Sequence, residues 1–221
     1  IPAFGTRGAA MGTAIASGIT GFVFIWMMFS NRLVIHFSRS MSFRPDWDII
    51  RSLFRFGLPA GFQGIAMNLG GVLMLRFIGS LTYSAEAQAA YAVVYGQLFS
   101  LITWTSVGLM GAAAAVAGQN LGAGQPDRSA GATHVASMIG LTVAAAIGLL
   151  FFVVPRSLLA IFGMEAGVVA DIAVELMGYL AFSGLFVTVA LTYTGGLQGT
   201  GDTRSPLYIS IVSQVIMPLG I

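Results

Sequence analysis

Long uncharged windows, largely apolar, alternate along this chain with short charged or glycine-rich breaks. The windows run from Gly8 to Asn31, Phe56 to Leu75, Ala87 to Pro126, Ser129 to Pro155, Leu176 to Gly201 and Ser205 to Ile221. A membrane-spanning helix needs about 20 predominantly apolar residues, so each window predicts a span. The third is too long for one: as a single helix it would reach about 60 Å, twice the roughly 30 Å of bilayer hydrocarbon. It is therefore expected to hold a span and a loop, with the break at Gly118-Gln119-Asn120-Leu121-Gly122-Ala123-Gly124-Gln125-Pro126, where glycine, proline and amides cluster. Ten-residue alternation, the mark of a membrane β-barrel, does not describe these windows, which leaves helices as the way to pair every backbone group in lipid. Pro59 is expected in the first turn of the second span, where its missing N–H costs nothing. Between the first two windows, Pro45 to Phe56 is amphipathic, with Trp47, Ile50 and Phe54 on one face and Asp48, Arg51 and Arg55 on another. It is expected to lie flat on the membrane surface.

Composition agrees with this pattern. Of 221 residues, 57% are hydrophobic and 8% charged, against about a quarter charged in soluble domains. An ordinary soluble globule is excluded. Cysteine is absent, which removes disulfides, thiolate metal sites and cysteine nucleophiles. The ten basic residues are all arginine, so lysine-dependent P-loop and Schiff-base chemistry is excluded too. With a net charge of only +2 there is no surface for nucleic acid, and the arginines are read as topology. Placing Arg32, Arg39, Arg44, Arg51, Arg55, Arg128 and Arg204 in the cytoplasm leaves Arg7, Arg76 and Arg156 outside, the orientation that the positive-inside rule favours. The chain starts at Ile1 and stops at Ile221 in an apolar run, and is expected to be a piece of a longer protein.

The chemistry on offer is binding rather than catalysis. His36 and His134 are far apart and belong to no metal-ligand spacing, so neither a metal site nor an enzyme is expected. The pairs Gly8/Gly12 and Gly57/Gly61, continued by Gly64, Asn68 and Gly71, have the small-residue spacing of close helix packing. Asp171 and Glu175 share a face at the start of the fifth span; as acids in a span they are weak ion-coupling candidates, and as acids of a first turn they favour the helix dipole. Glu86 is placed to pair with Arg76, or each to snorkel to the interface. Gln63, Met67, Asn68 and Met74 in the second span, Gln88, Tyr91 and Tyr95 in the third, and Thr188, Thr192 and Tyr193 in the fifth are expected either to line a cavity or to pack between helices. Methionine adapts to varied apolar ligands and tyrosine faces attract organic cations.

The turn Gly118 to Gly124 with Arg128-Ser129-Ala130, and the turn Leu197-Gln198-Gly199-Thr200-Gly201-Asp202-Thr203-Arg204, resemble signatures of the multidrug and toxic compound extrusion (MATE) family. Arg55-Phe56-Gly57-Leu58-Pro59-Ala60 resembles that family's entry into its seventh span. The resemblance implies an all-α, polytopic transmembrane bundle: about six spans of a twelve-span, two-lobe transporter of the cytoplasmic membrane, most naturally bacterial. On that mapping, residues 1–31 are the last span of the N-terminal lobe, 32–55 a basic amphipathic linker, and 56–221 five spans of the C-terminal lobe, the rest of the N-terminal lobe lying outside the sequence. It implies no cofactor, an inward proton or sodium flow as the drive, and a small amphipathic or cationic molecule and the lipid bilayer as partners. Positions that carry acids in some sodium-coupled members correspond here to Met67 and Val187, which leaves the coupling ion open. The motif residues Gly57, Pro59, Gly118, Gln119, Gly122, Gly199, Gly201, Asp202 and Thr203 are expected to be structural hinges or caps, so that alanine at Gly122 or Gly201 impairs folding or transport without changing substrate preference. A lipid-precursor flippase and a non-transporting scaffold subunit are the competing functions.

Overall fold

The structure, a computed structural model, describes residues 5–30, 44–164 and 166–220. Asn31 and the first part of the expected linker, with Arg32, His36 and Arg39, lie outside them. Contacts divide the chain into two units, residues 1–50 and 51–221.

In the first unit, helix α1 (Gly5–Phe29) carries one charge, Arg7, near its start and is uncharged and long enough to cross a membrane from Ala10 to Phe29. Its Thr20 hydroxyl donates to the Ala16 carbonyl at 2.9 Å, the way a hydroxyl satisfies itself where no water is at hand. Helix α2 (Trp47–Gly79) begins in this unit, where Asp46 accepts hydrogen bonds from the backbone N–H groups of Asp48 and Ile49, a side-chain cap on its first turn.

Two sequence expectations change at α2. The amphipathic stretch from Pro45 to Phe56 is not a separate surface helix: from Trp47 on it is the opening of one 33-residue helix. Nothing between Trp47 and Gly57 breaks the backbone pattern, so the helix propagates. Pro59 consequently lies inside the helix, not in its first turn. There it deprives the Arg55 carbonyl of its usual donor, a defect that spans tolerate when neighbouring groups compensate.

The second unit continues with α3 (Ser84–Val93), a π-helical turn at Val94–Leu98, and α4 (Ser100–Gly122). These form one apolar run of 39 residues, so the loop expected inside the third window shrinks to Ala123–Gln125. Gly118, Gln119 and Gly122 are the last turns of α4, and Gly124 takes the positive φ (+71°) that reverses the chain. Helix α5 (Pro126–Val153) starts on a proline as its first residue, and α6 (Pro155–Ala160) is a short turn after it. Helix α7 (Val168–Gly199) starts eight positions before Leu176, so Asp171 and Glu175 fall in its opening turns. The chain ends in α8 (Arg204–Ile211), a second π-turn at Val212–Ile216, and α9 (Met217–Gly220). That turn has a chemical cause: the Pro218 ring would collide with the carbonyl four residues back, Gln214, and the wider turn makes room. Among the described residues five stretches are long and apolar enough to cross a membrane; the sixth, Arg204 to Gly220, is helical but shorter.

Helices α4, α5 and α7 form the centre of the second unit, packed through glycines. A Cβ on Gly195 would sit 2.1 Å from the Met110 carbonyl oxygen, one on Gly199 2.1 Å from that of Ala114, and one on Gly118 2.6 Å from that of Gly199. Gly196 is pressed against Thr133 of α5 in the same way. In lipid, such close approach and the dispersion contact it permits replace the hydrophobic drive. By contrast nothing lies within 4 Å of a Cβ on Gly12, Gly57, Gly61, Gly64, Gly71 or Gly122. Among the described residues the close approach of α2 is made at Gly70, where a Cβ would sit 2.9 Å from the Gln214 carbonyl oxygen, and not at the glycines that the spacing selects; the tightest seam belongs to α4 and α7. A buried cluster around Val94, Phe99, Ile102, Met177 and Leu180 fills the other half of the α3–α4–α7 contact.

Candidate functional site

A cavity of about 540 Å³ opens between α2, the α3–α4 run, α7 and the α8–α9 run. Helix α2 presents Gln63, Met67, Gly70 and Met74 to it, positions three and four apart and so on one face. From the α3–α4 run come Tyr91, Tyr95, Phe99 and Thr103. The three rings are stacked: Tyr91 and Tyr95 have centroids 4.8 Å apart and planes 8° apart, Tyr95 and Phe99 5.4 Å and 28°. The π-turn explains how the stack stays in line. At about 100° per residue, eight α-helical steps leave Phe99 about 80° around the helix from Tyr91; taking up one extra residue in a π-turn brings it back to within about 20°. The turn closes through the Phe99 N–H donating to the Val94 carbonyl at 2.8 Å. Val187, Leu191 and Thr194 of α7, with Ser210, Ser213 and Gln214, complete the wall. Ser213 and Gln214 belong to the second π-turn, so both π-turns border this one space.

At one end of the cavity the amide of Gln63, 7% exposed, ties three helices together. Its Nε2 donates to Ser210 Oγ of α8 at 3.1 Å, and its Oε1 accepts from Gln198 Nε2 of α7 at 2.8 Å. Gln63 lines the cavity with both amide atoms already committed to protein.

The remaining predicted residues scatter. Met67, Met74, Tyr91, Tyr95 and Tyr193 join Gln63 at the cavity. Asn68 is exposed, its Nδ2 donating to the Gly64 carbonyl at 2.8 Å, and Gln88 sits beside Gly79 at the α2–α3 turn; neither lines the cavity. Thr188 and Thr192 are fully buried in the helix contacts. The hydroxyls of Thr188 and Ser106 lie 2.8 Å apart across α4 and α7, and each is also 2.8 Å from a carbonyl one turn back in its own helix, Gly184 and Ile102 respectively. Thr192 donates to the Thr188 carbonyl. These threonines pack helices together. Asp171 pairs with Arg156 at 3.3 Å with both side chains 70% exposed, a contact worth under about 1 kcal/mol, while Glu175 is exposed on the next turn. No ion pair joins Arg76 to Glu86. His134 Nδ1 lies 3.3 Å from the Tyr193 hydroxyl, linking α5 to α7. Phe99, absent from the sequence candidates, lines the cavity, and Gln198, also absent from them, holds Gln63 from behind without lining it.

The two glycine-rich motifs have separable parts. Gly201 has φ +92°, which only glycine adopts without strain, and Thr203 is buried behind it. Asp202 caps α8: Oδ1 accepts from the N–H groups of Arg204 (3.2 Å) and Ser205 (3.0 Å), and Oδ2 from the Ser205 hydroxyl at 2.6 Å. The Ser205 hydroxyl and N–H stabilise the carboxylate and hold its pKa below the ordinary value of 3.8. A depressed pKa means that the folded state binds this proton less readily than the unfolded state. The cap's contribution is therefore complete above the ordinary carboxylate range and is lost as pH falls through and below it. We expect Asp202→Ala to lower the melting temperature at pH 7 and to flatten its decline between pH 5 and pH 3, measured by heating in detergent and gel filtration of the survivors; an unchanged pH profile would count against the cap.

A family model described as MatE matches residues 59–220. Among curated relatives, a probable multidrug resistance protein NorM of Thermotoga maritima is 23% identical over 96% of this chain and 44% of its own length. A protein of the same name from Deinococcus radiodurans is 28% identical over 100% of this chain and 48% of its own. A multidrug export protein MepA of Staphylococcus saprophyticus is 26% identical over 95% and 45% respectively. The chain thus spans about half the length of the curated relatives it matches.

Proposed function

The chain belongs to the MatE family, a multi-pass plasma membrane protein by that membership and by its apolar helices, and on that premise we propose that it lines part of the chamber of an ion-coupled small-molecule exporter. The observation that carries the reading is the cavity itself: a stack of three rings faces methionines and neutral amides across about 540 Å³, within the range of small-molecule sites. Such a wall suits amphipathic or cationic aromatic compounds, which stack on tyrosine and phenylalanine faces and slide along thioethers. No nucleotide-binding motif is present, so uphill export draws on a proton or sodium gradient through alternating exposure of the chamber. The residues described as lining the cavity include no carboxylate; Met67 and Val187, where the family resemblance placed acids in sodium-coupled members, put a thioether and an isopropyl group there instead. In this reading the ion-binding acid comes from residues other than this wall, residues 1–31 complete the N-terminal lobe, and residues 32–55 link the lobes.

Expression of the full-length protein in cells that lack their major exporters tests this, with accumulation of a fluorescent organic cation as the readout. Export that collapses with a protonophore identifies proton drive, export sustained by a sodium gradient alone identifies sodium, and unchanged accumulation with the protein in the membrane would overturn the reading. Within it, Tyr95→Ala removes the middle ring of the stack. The half-saturating concentration for aromatic substrates is expected to rise about three- to tenfold, or about 0.7–1.4 kcal/mol, while Thr192→Val leaves it unchanged. Equal effects of the two variants would remove the stack from the binding role.

A further inference from the structure

We propose that the outer groove between α4 and α5 is a binding site for one phosphatidylethanolamine molecule. The groove, about 690 Å³, runs from Leu109 and Ile139 at one end to Asn120, Asp127 and Arg128 at the other. From Leu109 to Asn120 the helix advances about 16 Å, close to the roughly 15 Å of hydrocarbon in one leaflet. Ala112, Gly131 and Ala132 leave its floor open, and its apolar sides are uncovered, with Val135 58% and Ile139 52% exposed. An acyl chain fits that length and that chemistry.

The polar groups are confined to the mouth, and they specify the headgroup. Ser129 fixes the register there, its buried hydroxyl donating across the helix pair to the Ala117 carbonyl at 2.9 Å. Arg128 is exposed and donates only to the neutral Gln125 Oε1, at 3.2 Å; no ion pair joins it to Asp127. One positive and one negative group are thus offered side by side at headgroup depth. The guanidinium suits a phosphate, which it meets with paired N–H donors. The carboxylate beside it repels a purely anionic headgroup and accepts N–H bonds from a primary ammonium. Choline offers no N–H donor and is held by aromatic faces, none of which occurs among the groove's described lining residues. Phosphate next to a primary amine is the ethanolamine headgroup. The assignment uses the Arg128-Ser129-Ala130 motif, which the substrate cavity leaves without a task, and does not depend on the transport reading.

The test is native mass spectrometry of the full chain released from detergent with equimolar dioleoyl phosphatidylethanolamine, phosphatidylcholine and phosphatidylglycerol. One ethanolamine lipid is expected to be retained at least threefold over either competitor. Asp127→Asn should equalise ethanolamine and choline lipids, Arg128→Gln should lower retention of all three, and Ala132→Phe should block the groove and abolish the preference. Equal retention of the three lipids by the unaltered protein, a preference for the glycerol lipid, or an ethanolamine preference that survives both Asp127→Asn and Ala132→Phe would overturn the site.

Discussion

Alanine at Gly195 is expected to remove most folded protein. The new methyl carbon would stand 2.1 Å from the Met110 carbonyl oxygen and 2.8 Å from its carbon, and both belong to the backbone of α4. A flexible side chain could swing away; a helix backbone can yield only if α4 and α7 separate along the seam that Gly118 and Gly199 also hold closed. Overpacking in a well-filled core costs about 1–3 kcal/mol, and a collision with fixed backbone belongs at or above the top of that range. Against a total stability of about 5–15 kcal/mol, the melting temperature should fall steeply and expression should follow it. Gly199→Ala should behave alike, because its methyl would meet the Ala114 carbonyl at the same 2.1 Å. Gly108 and Gly122 of α4 are the controls: nothing lies within 4 Å of a Cβ at either, so the sequence expectation that alanine at Gly122 impairs folding is replaced by a neutral effect or a stabilisation of up to about 1 kcal/mol through helix propensity, and Gly201 alone keeps it. Fluorescence-detected gel filtration of heated samples separates the two sets; a Gly195→Ala protein that melts with the parent would sink the seam.

That contrast also marks what was legible in the sequence. Charge-free windows located the helices, because a charge is costly in hydrocarbon and therefore marks the ends of spans; α5, with its proline start at Pro126, matches its window closely. Helix ends inside apolar sequence were not legible, since glycine and amide residues that read as a loop at Gly118 to Gly122 continue a helix once a partner packs on them. Small-residue spacing says that two helices can approach; only the fold says which do, and so Gly57 and Gly61 fit the motif while Gly195 and Gly199 make the contact. The cavity was half legible. Gln63, Met67 and Met74 lie on one α-helical face and were found by period, as were Tyr91 and Tyr95. Phe99 was out of phase by about 80° on that period and entered the wall only through a π-turn. Pro218 is a readable cause for the second π-turn, whereas the first has only Gly96 as a local irregularity. Thr188 and Thr192 show the limit from the other side: a polar group in a span is compatible with a cavity or with packing, and here each hydroxyl bonds to its own helix one turn back, which is the packing alternative.

Gln63→Ala is expected to destabilise the second unit by about 2–4 kcal/mol, the larger part coming from the groups it strands. The half-buried Gln198 loses the acceptor for its Nε2 and the buried Ser210 the donor at its Oγ; an orphaned polar group in a buried site costs about 1–3 kcal/mol, and a half-exposed one less. Ser210 can recover part of that by bonding back along α8, and Gln198 part of its own on its exposed side. A double-mutant cycle decides it. Gln63→Ala with Gln198→Ala should cost less than the sum of the single changes, by about 1 kcal/mol, because the second removes the orphan created by the first. Coupling indistinguishable from zero would mean that the amides do not pin α2 to α7. The same variant distinguishes a pin from a substrate contact in transport. With both amide atoms committed to protein, Gln63 has little left for a ligand, so Gln63→Ala should slow export of every substrate by a similar factor, whereas Tyr95→Ala should weaken aromatic substrates more than others. A selective loss for substrates rich in hydrogen-bonding groups would instead show that the Gln198–Gln63–Ser210 chain opens to admit them, and that the end of the cavity it closes is a binding surface.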